Sequence, residues 1–375
     1  MNRAILLGAT GFGLIAVCYG FARFAFGLFL PAISADFDLS STLAGIVSAG
    51  SFLGFCLAIA LAAWLTERVR PRAVAVAAGL AAAAGMIGLA SATSSPWLAA
   101  FVILAGSSTG LASPALAAAV TSMLAPASRD TSNTFINAGT SAGVALSGPV
   151  AALMGAEWRL AYAGFAGASI LMACATWTAL AGAVAARPAA KAPLLPPLTP
   201  DLKRLIAAAA LSGTASTVVW SFGADLLAVN LDWGAREVGV LWTVMGCVGV
   251  VGALAGWLIA RVGMPAVHLG FHLALALAVV AVAWSGASPA LVYVGGGLFG
   301  ASYLMLTGVY LVWGISALPE RPAAAVTLAF LALAVGQTLG SIGFGLLLEH
   351  VAADGVVLGF AALALVAGVV RRRPT

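Results

Sequence analysis

The chain has 375 residues, of which 8% are charged and 62% are apolar, and its mean hydropathy is +1.09. Water-soluble domains carry roughly 25% charged residues, so this composition excludes a soluble enzyme or binding module and leaves a surface that faces lipid. The formal net charge of +5 comes from basic residues in short clusters between apolar runs, not along one face, which excludes a nucleic-acid binder.

A membrane helix needs about 20 predominantly apolar residues. Twelve segments are predicted to meet this requirement, giving an all-α integral membrane protein. In the first half they are 5–30, 42–64, 73–93, 97–120, 133–154 and 159–183. The first of them is too long for a signal-peptide core and lacks a cleavage site, so it is read as a span. The proline-rich stretch 185–203, containing RPAAKAPLLPPLTPDLK, disfavours helix and reads as an exposed connector. The second half contributes 204–229, 237–260, 266–286, 289–313, 325–347 and 354–370. The expected organisation is therefore an N-terminal six-helix bundle over 1–184, a cytoplasmic linker over 185–203 and a C-terminal six-helix bundle over 204–375. With both termini cytoplasmic, fourteen of the seventeen Lys and Arg residues fall on the cytoplasmic side, as the positive-inside rule requires. Most tryptophans fall near span ends, as expected of residues at the membrane interface, whereas Trp220 and Trp242 lie deeper.

The halves repeat. Residues 63–74, AWLTERVRPRAV, align with 256–267, GWLIARVGMPAV, at six identical positions of twelve. Just upstream, residues 37–45 fall on 231–239, pairing Asp38 with Asp232 and Gly45 with Gly239. Further along, Gly139, Gly143 and Gly148 fall on Gly336, Gly340 and Gly345 with one or two gaps. Repeated halves are a transporter plan in which the substrate site lies at the interface near the bilayer midplane.

The 63–74 segment resembles the loop signature of the major facilitator superfamily, G-x-L-x-D-R-x-G-R-[KR]. It keeps Leu65, the acid as Glu67 and the first arginine as Arg68, and loses both glycines. In the second half Gly256, Leu258, Arg261 and Gly263 keep a complementary subset, with Ala260 in place of the acid. Glu157-Trp158-Arg159 also resembles a frequent family feature, and GFARFAFGLFLP over 20–31 is similar to the first span of the YbfB/YjiJ-like branch. The resemblance implies two pseudo-symmetric six-helix bundles and secondary transport by alternating access, with Glu67, Arg68, Arg72 and Arg261 in a cytoplasmic gate. It departs from the family at Val102, which stands where many members carry a fourth-span arginine. Gly148-Pro149 resembles the fifth-span motif of drug/proton antiporters with its glycines out of register.

An ionised side chain inside the membrane is a functional hypothesis by default, and two qualify. Arg23 lies past the middle of the first span and Asp225 past the middle of the seventh, and the resemblance makes these helices symmetry mates lining one cavity. Arg23 would attract an anionic group, since a guanidinium binds a carboxylate bidentately; Asp225 would be its gate partner or a protonatable coupling residue. The bland reading has Arg23 snorkelling to the interface and Asp225 ending its helix. Tyr19, Asn133, Asn137, Trp220, Tyr303, Tyr310 and Gln337 are the other polar or aromatic candidates at membrane depth, with packing as the alternative for the rings and interhelical hydrogen bonding for the amides. Gly139-x3-Gly143 and Gly336-x3-Gly340, with Gly148 and Pro149, are expected at close helix contacts.

His268 and His272 have helical i, i+4 spacing but no third ligand, so interfacial histidines are expected and no metal site. Cys18, Cys56, Cys174 and Cys247 lie in apolar runs without disulfide or metal spacing. No P-loop, catalytic triad or cofactor fingerprint occurs, so neither an enzyme nor a cofactor is expected, and energy would come from a proton or solute gradient. The expected function is a secondary active transporter of a small organic solute, with a tilt toward an anionic one, working as a monomer in the cell (inner) membrane. Two readings stand beside it: a multidrug-type proton-coupled exporter of lipophilic compounds, and a transport-inactive membrane sensor or scaffold.

Overall fold

The computed structural model describes residues 3–65, 68–184 and 196–370; Glu67 and the part of the connector over 185–195 lie outside the described residues. Among these the chain forms twelve long helices and no strand. Helix α1 is continuous through Arg3–Ile15, a π-helical stretch Ala16–Phe24, and Ala25–Phe37. It is followed by α2 (Ser41–Leu65), α3 (Pro71–Ala90), α4 (Ser95–Met123), α5 (Pro126–Met154) and α6 (Trp158–Ala179). The second set is α7 (Pro200–Leu231), α8 over 235–262 with a short 3-10 stretch at Val250–Leu254, α9 (Met264–Ala283), α10 (Pro289–Ala317), α11 (Pro322–Leu348) and α12 (Ala353–Val369). Ten of them are long and apolar enough to cross a bilayer, and α12 is a shorter apolar helix. Helix α5 begins at Pro126, not near residue 133 as predicted, because its polar opening PASRDTSN hides a helix from a hydropathy reading.

Local chemistry sets the helix ends. Seven helices start with proline at one of their first two positions, where its missing N–H leaves no bond unmade and its φ suits a first turn. Thr199 and Ser288 cap α7 and α10 by accepting hydrogen bonds from the backbone N–H of Leu202 and Leu291. Helices α1 and α7 end on Asp38 and Asp232, in the left-handed conformation at φ 50° and 54°. Aspartate is one of the few L-residues that visits this region readily, and these two are the only described non-glycine residues there. The internal repeat pairs the same two positions.

Successive antiparallel helices leave residues 3 and 370 at one end of the bundle, the termini end; Asp38 and Asp232 mark the far end. Small residues let helices approach to backbone contact where lipid offers no hydrophobic drive. Within the first set, Gly139 and Gly143 of α5 lie against Phe12 and Ala16 of α1; within the second, Gly336 and Gly340 of α11 lie against Ala210 and Thr214 of α7. Between the sets, toward the far end, Gly148 of α5 faces the Gly239 backbone of α8, and Gly345 of α11 faces Ser41 and Gly45 of α2. Residues matched by the repeat thus take matching places. Gly27 of α1 presses on the Trp220 carbonyl of α7, where a β-carbon would collide. At the rim of this seam the backbone N–H of Thr42 donates to Glu349 at 2.9 Å, a bond that holds the Glu349 carboxyl below the usual glutamate range.

Candidate functional site

Arg23 is 5% exposed and is the only Arg, Lys, Asp or Glu among the buried described residues. It projects from the π-helical stretch of α1, a widened turn that is rare and concentrates at functional positions. Gly20 in the same stretch lies directly on the Gly143 backbone, so α1 passes close to α5 where its hydrogen-bond pattern changes. Burying a charge at membrane depth costs about 2.5–3.5 kcal/mol on insertion scales, and no carboxylate pairs with Arg23 among the described residues.

Two weaker interactions substitute. The rings of Phe55, Phe52, Phe24 and Tyr19 stand 4.8, 5.1, 5.2 and 5.7 Å from the guanidinium carbon, so their electron-rich faces surround the cation. Arg23 Nη2 donates to Gln337 Oε1 of α11 at 2.8 Å. Because a guanidinium only donates, the Gln337 oxygen must face it. The amide nitrogen then donates to the Tyr303 hydroxyl at 3.0 Å and to Ser216 Oγ at 3.4 Å. Gln337 is fully buried and so ties α1 to α7, α10 and α11.

Trp220 closes the other side of this cluster. It stacks on Phe24 at 4.1 Å between ring centroids and meets Phe299 and Tyr303 edge-on at 5.2 and 5.4 Å. Its indole N–H has no partner, and neither does Arg23 Nε, although both atoms are buried. Buried donors are normally paired, so two orphans in one cluster mark it as incomplete. Tyr19 shares a 2.9 Å hydrogen bond with Ser113.

Of the residues singled out from sequence, Arg23, Tyr19, Trp220, Tyr303 and Gln337 therefore converge, and Asp225, Asn133, Asn137 and Tyr310 do not. Asp225 makes no ion pair with Arg23 among the described residues. Helices α1 and α7 cross at Gly27 and Trp220; Arg23 lies four residues on the termini side of that crossing and Asp225 five on the far side, about 13 Å apart along the axes at 1.5 Å per residue. Asn137 is exposed on α5 and Asn133 half-buried, on the same helix edge as Ser141, which touches Gly246 of α8. Tyr310 belongs to a separate cluster. Its hydroxyl bonds Ser212 Oγ and His272 Nε2, the latter at 3.0 Å, while His272 Nδ1 donates to the His268 carbonyl at 2.7 Å. The expectation of interfacial histidines is thus corrected: His268 and His272 are 1% and 0% exposed, enclosed by α7, α9, α10 and α12. Two tryptophans expected at the interface are likewise buried. Trp158 donates to Asp36 at 2.9 Å and Trp313 to Asp201 at 3.1 Å, each trading lipid-interface exposure for a carboxylate acceptor.

At the termini end, Arg68 lies in an exposed turn, Arg72 stacks on Trp177 at 3.6 Å and Arg261 on Trp257 at 4.6 Å. At the far end Arg159 pairs with Asp36 and donates to the Ala92 carbonyl at 3.2 Å, pinning α6 to α1 and to the loop after α3. Pro149 lines a groove of about 440 Å³ with Ala152, Leu153, Gly239, Val240, Thr243 and Val244, between α5 and α8. No group of three or more His, Cys, Asp or Glu side chains suited to a metal occurs among the described residues. The π-helical stretch and the Arg23–Gln337 bond were missed from sequence. Gly20 beside an intramembrane arginine is the one available hint of the first, and 314 residues separate the partners of the second.

The whole-chain likenesses agree with this twelve-helix fold. A variant of the nucleoside transporter NupG superposes with a TM-score of 0.80 at 13% identity, covering 98% of each chain. A bacterial homologue of the human lysosomal transporter Spinster, inward-facing and unoccupied, gives 0.76 at 15% identity over 99% of this chain and 95% of the other. The xylose transporter XylE from E. coli, in a partially occluded inward-open conformation, gives 0.76 at 14% identity over 98% and 97%. No curated protein matches by sequence. The family model described as Major Facilitator Superfamily matches residues 12–341, and with that match spanning most of the twelve-helix fold, the chain belongs to the major facilitator superfamily.

Proposed function

We propose that this protein is a secondary active transporter that moves a small organic solute bearing an anionic group, by alternating access between two six-helix bundles over 1–184 and 204–375 joined by the 185–203 linker. The observation that carries this reading is Arg23: a buried cation without a carboxylate partner, at the junction of both helix sets, with a donor left open. Evolution retains a charge at membrane depth where it binds or couples something.

In this reading Arg23, Gln337, Tyr303, Trp220 and Tyr19 contact the solute, and Asp225 gates the far side or carries a coupling proton. The closely packed seam at Gly27, Gly45, Gly148, Gly239 and Gly345 is the closed outer side, with both termini cytoplasmic and the protein a monomer in the inner membrane. The rocking halves break that seam and remake one at the other end, where Glu67, Arg68, Arg72 and Arg261 act. The inward-facing states of the Spinster homologue and XylE support this assignment. A proton or solute gradient supplies the energy.

Flux of a ligand found by thermal-shift screening, measured in proteoliposomes with and without a pH gradient, tests the reading; binding without flux under every gradient would overturn it. The aromatic walls of the cluster favour one rival, a multidrug-type exporter of lipophilic compounds. That rival predicts several unrelated apolar ligands whose binding survives Arg23→Ala.

A further inference from the structure

Arg23 presents two N–H groups along one edge of its guanidinium, Nε and Nη2. Gln337 offers a single oxygen and satisfies Nη2 alone, leaving Nε buried and unpaired. An amide cannot do better, because its second polar atom is itself a donor and is already committed to Tyr303 and Ser216. A group with two acceptor oxygens side by side would engage both N–H groups in the parallel, bidentate arrangement that carboxylates form with arginine. The guanidinium edge therefore faces a one-oxygen acceptor where a two-oxygen group would complete its hydrogen bonds.

Charge and shape narrow the ligand further. Arg23 is the only buried Arg, Lys, Asp or Glu among the described residues, so one negative charge is balanced and a second would be stranded in low dielectric. The surroundings are Phe24, Phe52, Phe55, Trp220 and Tyr303, faces on which a flat apolar body stacks. We infer that the ligand is a compact monocarboxylate with a flat apolar body, and that its carboxylate displaces the Gln337 side-chain carbonyl from Arg23. This deepens the transport reading above and rests on it. It also supplies a link between binding and motion. The displaced bond joins α1 to α11, so the solute itself removes a side-chain tie between the two halves. Gln337 is then a built-in competitor that holds the empty site shut.

Benzoate serves as probe, with benzamide as the uncharged flat isostere, acetate as a carboxylate without a flat body, and chloride as a bare anion. Binding to the purified full-length protein is read as a concentration-dependent rise in melting temperature and by equilibrium dialysis. Benzoate should bind saturably, acetate more weakly, and benzamide and chloride not at all over the same range. Arg23→Lys should weaken benzoate at least tenfold, since a point charge cannot make the two parallel bonds. Gln337→Glu should remove the benzoate response while raising the melting temperature of the empty protein, because it installs the missing carboxylate permanently; this variant stays informative if Arg23 variants fold poorly.

Equal binding of benzamide, a chloride response matching that of benzoate, or a Gln337→Glu variant that still responds would each overturn the inference. In those cases transport of a neutral or other solute survives as a reading. If benzoate binds in the expected pattern yet proteoliposomes show no carrier-dependent benzoate flux above protein-free vesicles under any gradient, the transport reading fails and the displacement inference stands.

Discussion

The second helix set holds part of two buried polar clusters, and they are built to different standards. Around His272, Ser212 and Tyr310 every polar side-chain atom has a partner, the bonds stay within α7, α9 and α10, and only Nδ1 of the neighbouring His268 is left over. Around Arg23 one bond, to Gln337, crosses between the helix sets and two donors remain open. A satisfied network in low dielectric rigidifies the elements that share it, whereas an unsatisfied one is costly unless something else completes it. The His272 cluster is read on that basis as the glue of one bundle and the Arg23 cluster as a receptor between two.

The largest expected effect breaks this contrast directly. Arg23→Gln should lower ligand affinity by about a hundredfold, the usual scale for truncating one partner of a buried charged contact, while leaving the melting temperature of the empty protein unchanged or higher, because an uncompensated charge is gone. If Arg23→Gln instead melts lower with affinity intact, the two clusters have been assigned the wrong way round. Tyr310→Phe should do the reverse. It should lower stability by about 1–3 kcal/mol through the acceptors it strands, seen as a lower melting temperature in a nanodisc, and leave the ligand affinity of the parent.

Gly27→Leu tests the seam beside the Arg23 cluster. A side chain at Gly27 meets the Trp220 carbonyl, and overpacking of this kind costs about 1–3 kcal/mol, enough to shift the population toward a state open at the far end. Cysteines introduced on the far side should then label faster with a membrane-impermeant maleimide; unchanged labelling would show that the seam does not govern access. Tyr303→Phe removes one hydrogen bond from Gln337 and should change affinity by about fivefold, a net hydrogen bond of about 1 kcal/mol, in the direction of tighter binding if Gln337 competes with the ligand. The smallest effect belongs to Glu349. Its carboxyl is held below the ordinary glutamate range by the Thr42 N–H, so its contribution to the seam is complete above the unfolded value of roughly 4.3 and fades as the pH falls through the lower folded value. Far-side opening, read as the distance between two spin labels placed across the seam, should therefore rise in acid below about pH 4, and Glu349→Gln should abolish that rise; a persisting rise in the variant assigns it to another group.

Much of the frame was legible without coordinates, and for local reasons. Apolar run lengths identify spans because backbone polar groups must be paired inside lipid. The pairing of Asp38 with Asp232 anticipated two helix ends with the same left-handed residue, and the pairing of Gly139 with Gly336 and of Gly143 with Gly340 anticipated equivalent helix contacts. Hydropathy misplaced the start of α5, since Arg129, Asp130 and Asn133 dilute its first two turns. The π-helical stretch left only Gly20 as a mark, and the backbone it meets, at Gly143, belongs to another helix.

The candidate site divides in the same way. Sequence alone put Arg23 inside a predicted span, with few polar residues around it, and showed that the two halves repeat, because each follows from reading residues along the chain. Only the tertiary structure decided which of them meet. The crossing of α1 and α7 at Gly27 keeps Asp225 away from Arg23, the packing of α11 against α2 and α7 brings Gln337 within reach of the long Arg23 side chain instead, and the packing of α9 against α7 and α10 turns two expected interfacial histidines into core. Those outcomes depend on where rigid helices cross, a property of paired surfaces that no single segment carries.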